Sequence, residues 1–168
     1  LNGRVRIVFG CDEESGWEDM EHYRKQVQMP DFGFTPDANY PVINTEKGIV
    51  QLRVTGAFED PRLVWVDAGE RPNVIPGVAR AKVRGWEIAK LRAAVAVFAN
   101  THGWPMAVRE EGDGLVIEAT GVTGHAAFPN GTRNAAGMML RLLDALEMGA
   151  PLLRKLSRVV GVESDGAS

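Results

Sequence analysis

Gly10-Cys11-Asp12-Glu13-Glu14-Ser15-Gly16-Trp17 is the stretch on which the reading of this chain turns. Before it, Arg4 to Phe9 alternates as a strand does, with Val5, Ile7 and Phe9 on one face and Val8 adding apolar weight. After it, Ser15 and Glu18 have capping-box spacing, which predicts a helix beginning near Gly16 or Trp17. Trp17, Met20, Tyr23 and Val27 then recur at helical spacing and predict one buried stripe. Met29-Pro30 stops the helix, and Gly33 and Pro36 punctuate a loop from Gly33 to Ala38. Tyr40 to Ile43 is a short apolar strand. Strand, helix and strand in that order predict a piece of an α/β domain over residues 1–48.

From Val50 the pattern turns to antiparallel strands and helices. Val50 to Phe58 alternates, with Leu52 and Val54 apolar. Leu63 to Val66 and Val78 to Val83 are further strands, separated by a loop from Asp67 to Pro76. Trp86 to Asn100 is the clearest helix, with Ile88, Leu91, Val95 and Phe98 on one face and Gly103 and Pro105 behind it. Met106 to Glu111 and Leu115 to Thr120 form a hairpin around Gly112-Asp113-Gly114. A glycine-rich loop leads to a second helix, Asn134 to Met148, with Ala135, Met139, Leu142 and Leu146 inward. Gly149 and Pro151 stop it, and residues 152–168 read as a tail or the start of a further segment. Strands, helix, hairpin and helix over residues 49–151 predict a ferredoxin-like α+β sandwich.

The bulk numbers exclude several classes. Hydrophobic residues make up 45% of the chain and charged ones 24%, a globular rather than a disordered balance. Net charge is -3 with Lys and Arg scattered, so nucleic acid is not an expected partner. No apolar run approaches the length of a membrane span, and no signal peptide is visible. One cysteine permits no internal disulfide, which fits a reducing, cytoplasmic compartment. The chain opens on Leu1-Asn2-Gly3 directly before a strand, without Met, and reads as cut from something longer.

Five residues are candidates for chemistry. Glu13 and Glu14 leave a strand and precede a helix, where ligands of open α/β sheets bind. One carboxylate there can hold a metal while the other takes a proton from a metal-bound water; the plain alternative is a solvated acidic turn. Asp37, between Pro36 and Ala38, is either an oxygen ligand for zinc or a turn-capping Asp. His125 lies among small residues, Gly121 to Ala127, and is either a donor to a developing oxyanion or an ordinary loop histidine. Asn73, in Pro72-Asn73-Val74-Ile75-Pro76, is either a substrate-contacting amide or a turn residue. His22 and His102 read as structural or surface residues, and Cys11 as buried packing.

Taken together, these residues resemble the zinc metallopeptidase family of glutamate carboxypeptidase, aminoacylase and succinyl-diaminopimelate desuccinylase. The match is best with its Xaa-His dipeptidase branch, the peptidase V or carnosinase-like enzymes. Residues 10–16 resemble that branch's Gly-Thr-Asp-Glu-Glu-Ser motif. Gly33-Phe34-Thr35-Pro36-Asp37-Ala38 and the later Glu46-Lys47-Gly48 are similar to its Phe-(Ser/Thr)-Pro-Asp-Ala and Glu-Lys-Gly segments. Gly121 to Ala135 is similar to its lid motif, a His followed by Pro and then Asn-Ala. Cys11 departs from the usual Thr and Ala127 from a common Ser, and Gly131 comes one position early.

The resemblance implies a division near Gly48 between a catalytic domain and its lid. It implies Glu13 as general base, Glu14 and Asp37 as ligands to two zinc ions (cobalt or manganese being substitutes), and His125 as stabiliser of the tetrahedral intermediate. Asn73 would hold the substrate, a small peptide, and the lid would offer a surface for homodimerisation. The family's upstream His and bridging Asp, and its final His, have no counterpart here, which predicts a fragment that is inactive and binds zinc poorly. Two rival expectations are a deacylase or desuccinylase of the same family and a non-enzymatic ferredoxin-like interaction module.

Overall fold

The computed structural model describes residues 3–37, 41, 43–45, 48, 50–53, 55 and 60–163. The chain divides into two units, Leu1–Val50 and Gln51–Ser168.

The first unit contains one described helix, α1 (Glu18–Gln26). Residues 4–9 are not a strand: no described segment of this unit forms a ladder with them, and Val5, Ile7 and Phe9 lie exposed. Alternation marks a face, but a strand also needs partners for its amides and carbonyls. The predicted stripe of α1 is likewise not buried, since none of its residues is. The expected strand at 40–43 falls partly on Tyr40 and Val42, outside the described residues, while Pro41 and Ile43 belong to no strand. Ala38, Glu46 and Lys47 also lie outside. Of the strand expected at 50–58, the described residues 50–53 and 55 form none, and the others lie outside.

The second unit is built on a four-stranded antiparallel sheet. Its strands are β1 (Leu63–Ala68), β3 (Val78–Val83), β4 (Met106–Glu111) and β5 (Gly114–Thr120), in the order β1-β3-β5-β4. Alternation decides its faces. Ala79, Ala81 and Val83 of β3 and Leu115, Ile117 and Ala119 of β5 point to the core. Arg80 and Glu118, opposite each other in register, take the other face and pair at 2.7 Å. Lys82 reaches Asp113 of the hairpin turn at 3.0 Å. Ion pairs near a surface contribute about 0–1 kcal/mol each, and Lys82 with Val116 opposite it is largely covered on this face.

Helices α2 (Ile88–His102) and α3 (Ala135–Ala145) cover the apolar face. Leu91, Val95 and Ala99 recur every four residues along α2, and Met138, Met139, Leu142 and Leu143 line α3. These side chains and the inward strand residues form one buried cluster. Burial of each large one stabilises the unit by about 1.5–3 kcal/mol. The order β3-α2-β4-β5-α3 thus follows the strand, helix, hairpin and helix expected from sequence.

Two elements depart from expectation. The tail is a helix, α4 (Ala150–Val159), packed against α3 with Leu153 buried. Gly149, at φ 80°, caps it, and the proline stands in its first turn, where a missing amide costs nothing. The loop at 67–76 ends in a short strand, β2 (Val74–Ile75), which pairs with β6 (Gly124–His125) in a separate two-stranded ribbon.

An acid clamp closes this unit. The Asp60 carboxylate accepts from Arg62 Nη2 at 3.0 Å and from the Gly149 amide at 2.8 Å. Arg62 Nη2 also donates to the Glu147 carbonyl. The Arg62 guanidinium first, and then the Gly149 amide, hold the Asp60 carboxyl well below the usual carboxylate range. No described helix is long and apolar enough to cross a membrane.

Candidate functional site

The β2–β6 ribbon joins two loops that are distant in sequence. Val74 faces His125 and Ile75 faces Gly124 in antiparallel register. One step outward, the Asn73 carbonyl accepts the Ala126 amide at 2.8 Å. Asn73 and His125 therefore lie on paired segments one residue out of register, Asn73 half-buried and His125 exposed.

Close main-chain packing holds the ribbon in place. The Gly121 amide donates to the Gly77 carbonyl at 2.8 Å, and Thr123 Oγ1 donates to the Ile75 carbonyl at 3.0 Å. Val122 and Arg133 exchange main-chain bonds at 3.0 and 2.9 Å, and the Ala135 amide donates to the Pro76 carbonyl at 2.9 Å. A Cβ at Gly121 would run into the Arg133 carbonyl, and one at Gly77 would come within 2.9 Å of Thr123. Glycine stands at both positions because two backbones meet there. Asn134 accepts the Ala136 amide at 3.0 Å and caps α3, so the loop that carries His125 ends on a fixed helix.

Three successive amides then define the His125 turn. Ala126 donates to Asn73, Ala127 donates to His125 Nδ1 at 3.1 Å, and Phe128 donates to the His125 carbonyl at 2.9 Å. The Phe128 ring lies 6.0 Å from the imidazole and is 76% exposed. The turn thus presents an imidazole beside an open aromatic surface. Phe128 escaped the sequence reading; an aromatic in a loop of small residues was its only signal.

In the first unit, Glu13 and Glu14 occupy a turn that Asp12 builds. The Asp12 carbonyl accepts the amides of Ser15, Gly16 and Trp17 at 3.2, 3.1 and 3.0 Å. Its carboxylate accepts the Glu18 amide at 2.9 Å, the first amide of α1. The expected Ser15 cap is thereby corrected: Asp12 does that work, and Trp17, at φ 61°, precedes the helix. Asp19 reaches back to the Cys11 and Asp12 amides at 2.6 and 3.2 Å. The Cys11 amide is the largest of the influences that pull the Asp19 carboxyl below its ordinary value. Neither Asp12 nor Asp19 stood out in sequence, although acids flanking a helix start favour its free amides.

Glu13, Glu14 and Asp37 are all exposed. Among the described residues, no three His, Cys, Asp or Glu side chains gather as a metal site would require. Cys11 is exposed, against the expectation of a buried one, because no described residue of its unit covers residues 4–11 as a packed layer. His22 is exposed. His102 is structural: its Nδ1 lies 2.9 Å from the Phe98 carbonyl, and its ring stacks 4.5 Å from Trp104.

Comparison with known proteins adds a second line of evidence. No family model matches the chain. It is 33% identical over 154 residues to "Putative dipeptidase YtjP" of Bacillus subtilis (strain 168), covering 88% of this chain and 33% of that protein. It is 30% identical over 145 residues to the "Beta-Ala-Xaa dipeptidase" of Lactobacillus delbrueckii subsp. lactis, covering 84% of this chain and 31% of that enzyme. Over 87 residues it is 41% identical to a "Putative dipeptidase" of Staphylococcus epidermidis, covering 48% of this chain and 19% of the other. The chain spans about a third of the length of the first two relatives. None of these three is named for deacylation or desuccinylation.

Proposed function

We propose that this chain is part of a metal-dependent dipeptidase, a peptide hydrolase of the glutamate carboxypeptidase and aminoacylase kind. Its first unit would belong to the catalytic half and its second to the lid. The observation that carries this reading is the ribbon that brings the Asn73 and His125 segments, distant in sequence, onto paired strands. The dipeptidase names of relatives at 30–41% identity support it.

Enzymes of this kind hold zinc ions. Glu14 and Asp37 are oxygen donors of a kind that zinc accepts. Among the described residues, however, no three metal-binding side chains gather, so these two do not build a metal centre by themselves. The proposal assigns Glu14 and Asp37 as two ligands among several in a longer, cytoplasmic protein.

The chain's own residues would act as follows. Glu13 takes the proton of the attacking water, as an exposed carboxylate on a fixed turn can. His125 donates a hydrogen bond to the carbonyl oxygen as charge develops on it. The Asn73 amide aligns the substrate beside it. The test is dipeptide hydrolysis by the intact protein carrying Glu13→Ala, with bound metal measured alongside. Loss of turnover with metal retained is the expected result. Undiminished turnover would sink the assignment.

A further inference from the structure

We propose that the Ala127 amide locks His125 in the tautomer that carries its proton on Nε2, and that this Nε2–H is the group offered to a scissile carbonyl. The inference rests on the reading of His125 as the oxyanion donor, and it names the atom and the device that prepares it.

A backbone amide can only donate. The Ala127 nitrogen lies 3.1 Å from His125 Nδ1 in hydrogen-bond geometry. Nδ1 must therefore present its lone pair, and a neutral imidazole with a lone pair on Nδ1 holds its hydrogen on Nε2. The opposite tautomer would set two N–H groups against each other at Nδ1. It would also turn a lone pair toward solvent at Nε2, where it would repel an oxyanion rather than stabilise it.

The neighbouring bonds keep the amide in place for this contact. The Ala126 amide is held by Asn73 at 2.8 Å, and the Phe128 amide by the His125 carbonyl at 2.9 Å. The Ala127 amide is thus fixed between two tied neighbours and cannot swing away without breaking one of them. Phe128 packs 6.0 Å from the ring on its own side of the turn. With Nδ1 engaged by the Ala127 amide, Nε2 is the ring nitrogen left to donate to a substrate. A donor oriented before substrate arrives costs no reorganisation when charge develops. Ala127 is in this sense a positioning residue: it acts through His125 and needs no contact with substrate.

The experiment is nitrogen NMR on the intact protein, labelled with 15N at histidine and alanine, at alkaline pH. The expected spectrum shows His125 Nε2 as the protonated nitrogen and Nδ1 as the bare one. A scalar coupling across the hydrogen bond joins Nδ1 to the Ala127 amide nitrogen. Predominant Nδ1–H, or an even mixture, overturns the proposal. A second arm removes the donor, first by Ala127→Pro. Where proline disturbs folding, an α-hydroxy acid at position 127 replaces the amide by an ester and keeps the chain's shape. The coupling then vanishes and the Nε2–H fraction falls. For dipeptide hydrolysis, kcat falls at least in proportion to that fraction while KM is nearly unchanged.

The two readings fail separately. If His125→Ala leaves hydrolysis untouched, the functional assignment of His125 falls, and with it the offer of Nε2–H to substrate. If His125→Ala abolishes hydrolysis while the ester leaves tautomer and kcat as they were, Ala127 has no positioning role.

Discussion

His125 stands directly across the β2–β6 ribbon from Val74, and the Asn73 carbonyl next to it takes the Ala126 amide at 2.8 Å. A change at either residue should therefore be felt by the other. In the intact protein, His125→Ala is expected to lower kcat for dipeptide hydrolysis by about 10²–10³-fold, the usual loss of one oxyanion donor. Asn73→Ala should cost less and act mainly on KM. The double variant should lose less than the product of the two, because they share one ribbon. Steady-state kinetics on the four proteins reads all three effects.

The 168-residue chain alone is expected to hydrolyse no dipeptide and to hold zinc well below one ion per chain. Glu14 and Asp37 are exposed, and among the described residues no three metal-binding side chains gather. Elemental analysis after dialysis against zinc, with a hydrolysis assay on the same sample, checks this.

Asp12→Ala should loosen the start of α1. Its carboxylate is the acceptor for the Glu18 amide. Loss of a cap of this kind costs about 1 kcal/mol, read as roughly fivefold faster hydrogen exchange of that amide. The same change should reduce turnover in the intact protein, because the Asp12 carbonyl and carboxylate frame the turn that carries Glu13.

Asp60 ties stability to acid. Its folded pKa is depressed, so its contribution is fully present above its unfolded value, near 4, and is lost as pH falls toward the folded one. Asp60→Asn should destabilise the second unit by about 1.5–3 kcal/mol at neutral pH, as lost charged hydrogen bonds do. The gap between variant and parent should narrow below about pH 4. Urea denaturation at pH 7 and pH 3 measures both.

Gly121→Ala tests whether the ribbon depends on backbone contact. The new methyl would meet the Arg133 carbonyl, which belongs to a main-chain bridge and cannot turn aside. Overpacking here should cost about 1–3 kcal/mol and shift the His125 ring resonances.

How much of this was legible in the sequence depends on the kind of signal. β3, β5, α2 and α3 follow their periodicities because each buries one face, and that face is written as every second or every third and fourth residue. Ala79, Ala81 and Val83, or Leu91, Val95 and Ala99, suffice to place their elements. The same alternation at Val5, Ile7 and Phe9 misled, since it describes a face without supplying a neighbour. α4 was hidden by Pro151, which reads as a stop from one side and as a start from the other.

The β2–β6 ribbon left no pattern at all. Two residues per strand are too few for a period, and what holds them is glycine's lack of a side chain and the bonds of Thr123, Val122 and Arg133. Asn73 and His125 could be suspected one at a time; their adjacency exists only once the chain is folded. Asp12 passed unnoticed beside Glu13 and Glu14, although it forms the turn on which both stand.

The clamp at Asp60 has a mechanical side. Asp60 and Gly149 are bonded at 2.8 Å although eighty-nine residues separate them. Tension arriving along the backbone before residue 60 would be shared at once with the start of α4, and through its packing on α3 with the far end of the unit.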